Sequence, residues 1–127
     1  MTAAVLFAST CVQAEVVVIV NPKHPAASMT AEQVANVFLG KDAGFAPADL
    51  PESSAQRGEF YTKVAGKDSA QVKAIWARLV FTGKVQPPKE FGSVAEAVKF
   101  VASNAKGIAY VDKGAVDGSV KAVLTVN

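Results

Sequence analysis

The sequence predicts an α/β domain, a mixed sheet with helices packed on it, and three observations carry that expectation. Residues 15–20 read Glu-Val-Val-Val-Ile-Val, a continuous β-branched run of the kind found in strands buried on both faces. Three later segments open with a hydroxyl residue followed three positions on by Gln or Glu, the spacing of a capping box: Thr30 with Gln33, Ser53 with Gln56, and Ser93 with Glu96. Short apolar runs return after the last of these, so the order reads β-α-(β)-α-α-α-β-β, one sheet with helices against it.

Each element has its own local reason. Asn21-Pro22 and then Pro25 end the first strand. A helix over residues 31–39 places Val34, Val37 and Phe38 on one stripe and stops at Gly40, where a C-cap glycine belongs. Residues 47–50 (Pro-Ala-Asp-Leu) are a weak strand candidate. The Ser53-Ser54-Ala55-Gln56 signature leads into a helix that buries Phe60 and Val64 and ends near Gly66. Asp68 or Ser69 caps the next helix, where Val72, Ile75, Trp76, Leu79 and Val80 form the broadest apolar face in the chain. Pro87-Pro88 marks a loop. The helix opened by Ser93 presents Val94, Ala97, Val98 and Val101 and ends near Asn104. Residues 107–111 and 122–126 read as strands.

Composition bounds the function. The chain has 127 residues, enough for one domain with its own core. Its net charge of +2 and singly scattered lysines argue against a polybasic nucleic-acid surface. Arg57 and Arg78 are the only arginines, so a role needing a planar bidentate cation has two candidates. One cysteine, Cys11, excludes an intrachain disulfide, and the single histidine, His24, has no cluster of metal ligands around it. No metal and no cofactor is expected. Enzyme readings lack support as well. Nothing places His24 as a base beside a serine, and Gly40, Gly44 and Gly58 are too widely spaced for a nucleotide-binding motif.

Residues 1–14 are apolar, end in small residues and close on Val12-Gln13-Ala14, which resembles a signal-peptidase site. They are read as an export signal in which no Lys or Arg follows Met1, so that a truncated start and a misplaced one are both open, with residues 15–127 as a single periplasmic or otherwise exported domain. Two other readings are an ordinary N-terminal strand or helix and a lipoprotein acylated at Cys11.

Four segments then resemble one family. Val34-x-x-Val37-Phe38-Leu39-Gly40-Lys41 is similar to a helix end of phosphate ABC transporter substrate-binding proteins. Residues 52–60, Glu-Ser-Ser-Ala-Gln-Arg-Gly-Glu-Phe, resemble their serine-bearing phosphate loop and the helix after it. Trp76-x-x-x-Val80-Phe81-Thr82-Gly83 and Lys106-Gly107-Ile108-Ala109-Tyr110-Val111 resemble two further elements, and all four fall in family order. The resemblance implies a single lobe of a type II periplasmic-binding-protein-like fold. It further implies inorganic phosphate or a similar oxyanion as ligand, and an ABC transporter permease or an envelope protein as partner. The first lobe of full-length members has no counterpart in this length.

The site expected on these grounds is Ser53, Ser54 and Arg57. A helix start offers unpaired amides and partial positive charge, the serines add hydroxyls, and Arg57 one turn on can curl back to hold two oxyanion oxygens. The family's Ser-Gly-Thr stands here as Ser53-Ser54-Ala55, and Glu52 brings the wrong charge for an anion site. The plainer reading makes Ser53 or Ser54 an N-cap and Arg57 a solvated surface residue. Trp76 is read as core, His24 as an exposed loop residue, Tyr110 as packing on or capping the sheet edge, and Asp112-Lys113 as a turn. Two further function readings stand beside anion binding: a ligand-free lobe that docks on an envelope protein, and a homodimer whose Ser53–Arg57 loops face each other.

Overall fold

The computed structural model describes residues 15–42, 44–83 and 85–126; the cleavage site expected after Ala14 lies outside them. Every residue of β1 (Val16–Val20) is buried, as the β-branched run predicts. This strand lies between two antiparallel neighbours. Val18 faces Tyr110 of β4 (Gly107–Asp112) on one side and Leu124 of β5 (Lys121–Val126) on the other. On its far side β4 pairs in parallel with β2 (Ala46–Asp49), which pairs in parallel with the two-residue β3 (Lys89–Glu90). The result is a mixed five-stranded sheet in the order β3-β2-β4-β1-β5. β3 is absent from the sequence reading because both its residues are exposed and no apolar pattern marks it; backbone pairing alone makes it a strand.

The helices follow their caps. In α1 (Ala31–Phe38) Thr30 accepts from the Gln33 amide and Gln33 reaches back to the Thr30 amide, so the capping box closes in full. Gly40 follows with φ +81°, a left-handed turn that favours glycine. In α3 (Ser69–Phe81) Asp68 and Gln71 make the same reciprocal cap. In α4 (Val94–Ser103) Ser93 accepts from the Glu96 amide, while the Glu96 carboxylate takes the Gly92 amide instead of the one at Ser93. The second helix differs. α2 (Ala55–Phe60) begins at Ser54 with no side-chain cap, and the capping box expected of Ser53 and Gln56 does not form: Gln56 Oε1 accepts from the Ser54 hydroxyl and its amide nitrogen donates to Asp112 Oδ1. It then widens into a π-helical turn over Tyr61–Ala65 that stops at Gly66, φ +66°.

The rings of Phe38, Phe60, Tyr61 and Tyr110 pack together between the helices and β4. Phe60 stacks on Tyr110 at 4.2 Å, and Phe38 meets Phe60 edge-on at 4.8 Å. Trp76 is buried and its indole donates to Phe38 O at 2.8 Å, tying α3 to α1.

Three residue readings need correction. Tyr110 lies on the central strand and is fully buried, not at a sheet edge; its neighbour β2 carries too little apolar signal to reveal that the sheet continues past it. His24 is half-buried, its ring stacked on Phe45 at 4.9 Å. The apolar face of α3 is only partly covered. Val72 and Trp76 are buried, but Val80 is 45 % exposed and Phe81 94 %.

Gly107 opens β4 directly against the end of α4. A Cβ added there would lie 2.8 Å from Val101 Cα and 3.1 Å from Asn104 O, both on backbone that cannot yield locally. Gly107→Ala is expected to lower stability by roughly 1–3 kcal/mol, the usual cost of overpacking, read as a lower urea midpoint with an unchanged slope.

Candidate functional site

The site grows from the end of β2. Ala48 and Asp49 are both buried, so the strand carries a carboxylate into the protein. A charge removed from water needs donors, and three arrive. Tyr61 OH donates to Asp49 Oδ2 at 2.7 Å, Tyr110 OH donates to Oδ1, and the Leu50 amide donates to Oδ1 at 2.9 Å. The Leu50 amide also lies 3.1 Å from Tyr110 Oη. The two tyrosines come from different elements, the π-helical turn and β4, so Asp49 pins both to the end of β2.

The fourth partner is Arg57. It falls one turn before Tyr61 on the buried side of α2 and is only 8 % exposed. Its guanidinium carbon sits 5.8 Å from the centre of the Tyr61 ring. Nη1 donates to Leu50 O at 2.8 Å and lies 3.9 Å from both Asp49 Oδ2 and Glu90 Oε2. Nε is buried with no acceptor. Arg57 is therefore not the solvated surface residue of the plainer reading. It is a buried cation, fixed at one corner of its fork.

Of the three residues expected from sequence, Ser53 is exposed and Ser54 is half-buried with its hydroxyl on Gln56. The Gln56 amide in turn donates to Asp112 Oδ1 at the end of β4. Arg57 turns toward Leu50, Asp49 and Glu90, and among the described residues no hydrogen bond joins its guanidinium to Ser53 or Ser54. The sequence reading missed Asp49, Tyr61 and Glu90. The signal for Arg57's burial was present: Arg57, Phe60 and Tyr61 stand at i, i+3 and i+4, the spacing of a buried stripe. Among the described residues no group of three or more His, Cys, Asp or Glu is placed to hold a metal ion.

Beside Arg57 a cleft of about 370 Å³ opens between α3 and the Pro87-Pro88 loop, with Asp49 and Glu90 at its border.

With this geometry in view, the fold has clear counterparts. It matches an ABC-type phosphate transport receptor from Vibrio cholerae over 86% of this chain and 45% of the receptor, at 18% identity and a TM-score of 0.69. It matches a phosphate ABC transporter substrate-binding protein with bound phosphate from Clostridium perfringens over 86% and 44%, at 18% identity and a TM-score of 0.71. The fold is that of part of a phosphate-transport receptor. PstS from Borrelia burgdorferi agrees, at 14% identity, a TM-score of 0.66 and coverage of 86% and 46%. The chain spans less than half the length of each of these structures, consistent with a single lobe. No protein-family model and no curated protein sequence matches the chain.

Burial pushes the Tyr61 and Tyr110 hydroxyls well above the ordinary phenol value of 10.0, and the Asp49 charge pushes in the same direction. Both phenols stay protonated in the folded protein at a pH where the unfolded chain ionises. Their contribution to stability is therefore complete below about pH 10 and is lost as the pH rises above it. Urea unfolding followed from pH 8 to 11 should show a midpoint that falls only above about pH 10. Tyr61→Phe leaves Asp49 Oδ2 without its phenol donor and is expected to cost roughly 1–3 kcal/mol at pH 8, with a shallower alkaline decline than the parent.

Proposed function

We propose that the chain is an exported lobe that binds a phosphate-type oxyanion for an ABC transport system, through Ser53, Ser54 and Arg57. The observation that carries this reading is the state of Arg57. It is a buried cation whose Nη1 is held by Leu50 O and whose Nε has no acceptor. A buried donor left unpaired is costly, and an anion oxygen is a strong partner for it. The fold likeness to receptors of phosphate transport, one with phosphate bound, supports the same ligand class.

Each residue then has a role. Arg57 supplies the charge. Leu50 O fixes its orientation, with the Asp49 carboxylate nearby, so little side-chain freedom is lost when the anion arrives. Ser53 and Ser54 supply hydroxyls at the start of α2, where no side chain caps the helix. The open side of the lobe faces water, which weakens these bonds, so tight capture calls for a second surface from a partner or a second copy. Residues 1–14 serve as the export signal in this reading, and no catalytic step is assigned.

A second reading has an observation of its own. Arg57 already lies between two carboxylates, and Phe81 is 94 % exposed with Val80 behind it at 45 %. A ligand-free lobe that docks on an envelope protein would use such a surface.

Calorimetric titration with phosphate, then sulfate, separates the two. Saturable phosphate binding in the micromolar range or tighter is expected. Arg57→Lys keeps the charge but loses the fork, and should weaken binding tenfold or more; Ser54→Ala should weaken it less. No heat with millimolar phosphate, sulfate or phenylphosphonate on folded protein would refute the oxyanion reading and leave the docking one.

A further inference from the structure

We propose that the Arg57 site is built for a phosphoryl oxyanion that carries a small apolar substituent, rather than for inorganic phosphate. The inference rests on the Arg57 part of the oxyanion reading above and adds the ligand class to it; Ser53 and Ser54 do not line the cleft it uses.

The cleft beside Arg57 is unsuited to a bare ion in two respects. Its charged lining is balanced, with Arg57 and Lys73 against Asp49 and Glu90. A small dianion would give up its hydration for little net attraction. The remaining walls are apolar: Trp76, Ala77 and Val80 from α3, and Pro87 and Pro88 from the loop. Inorganic phosphate has no apolar surface to place against them.

A substituted oxyanion uses both halves of the cleft. Its oxygens meet the Arg57 guanidinium where it borders the cleft; Leu50 O occupies only Nη1, and the buried Nε, which has no acceptor, is reached if the guanidinium turns toward the ligand. Its substituent lies along Val80, Pro87 and Pro88. Val80 is 45 % exposed in the free protein, so covering it removes apolar surface from water on both partners. About 370 Å³ is enough for a ring or a short branched chain beside the head group.

Trp76 borders the cleft and is the only tryptophan, so its fluorescence reports occupancy directly. The full chain is titrated with phenylphosphonate and with inorganic phosphate, by fluorescence and by calorimetry. Phenylphosphonate is expected to bind at least tenfold more tightly than phosphate and to change the Trp76 emission saturably. Ala77→Phe fills the cleft from an exposed helical position. It should remove that preference. Phosphate binding as tight as phenylphosphonate, or tighter, overturns the inference and leaves the oxyanion reading intact. Binding of neither overturns both. A preference for phenylphosphonate that survives in folded Ala77→Phe overturns the placement in this cleft. If that variant does not fold, the comparison of the two ligands on the parent chain still decides.

Discussion

Asp49 is a carboxylate taken out of water at the end of a short strand, and its neighbours are arranged around that charge. Two phenols and a backbone amide donate to it, from the π-helical turn, from β4 and from Leu50. A buried charge of this kind is costly unless paired and hydrogen-bonded. Tyr61 and Tyr110 are thereby fixed in rotation as well as in depth, and with them the ring stack of Phe60 and Phe38 that joins α1 and α2 to the sheet. Polar and apolar order at this corner are one arrangement. The rings exclude water from the carboxylate, and the carboxylate aims the hydroxyl end of each tyrosine.

Arg57 belongs to the same arrangement. Its position one turn before Tyr61 puts it over that ring and beside Asp49. An arginine free in solvent would lose side-chain entropy on gripping an anion. This one has already lost it in folding. The cost is charge, since Asp49 and Glu90 each lie 3.9 Å from Nη1 and offset the cation. A site of this type trades electrostatic strength for a fixed donor geometry, which favours ligands that gain something besides charge neutralisation. The shared architecture with phosphate-transport receptors tells where the sheet and helices go. That likeness carries no ligand with it; function is argued from side chains, not from the fold.

Much of the fold was legible because it rests on local signals. The β-branched run at 16–20 became a buried strand, and Thr30, Asp68 and Ser93 cap the helices they were expected to cap. Legibility failed where tertiary pairing overrides local pattern. Two exposed charged residues, Lys89 and Glu90, form a strand only because β2 lies beside them. The capping signature of Ser53 and Gln56 goes unused: the helix starts one residue later, at Ser54, and Gln56 Oε1 accepts from the Ser54 hydroxyl. Asp49 sits in what the sequence shows only as a weak strand candidate, and its partners stand 12 and 61 positions away, a separation that no local periodicity reveals. Arg57 stands out in the sequence as an anion ligand, but its burial does not, because the helix reads as burying Phe60 and Val64 and not the i, i+3, i+4 stripe of Arg57, Phe60 and Tyr61.

The central claim is that the unused part of the Arg57 fork receives an anion. Nitrogen-15 NMR of the arginine Nε–H groups tests it most directly, because the chain has only two arginines, Arg57 and Arg78, and Arg57→Lys assigns the signals. Addition of phosphate or phenylphosphonate should move the Arg57 Nε–H resonance saturably and slow its exchange with water, with the Arg78 resonance unmoved. An Arg57 signal that stays in place while either ligand binds elsewhere, or while both arginines shift together with ionic strength, would contradict it.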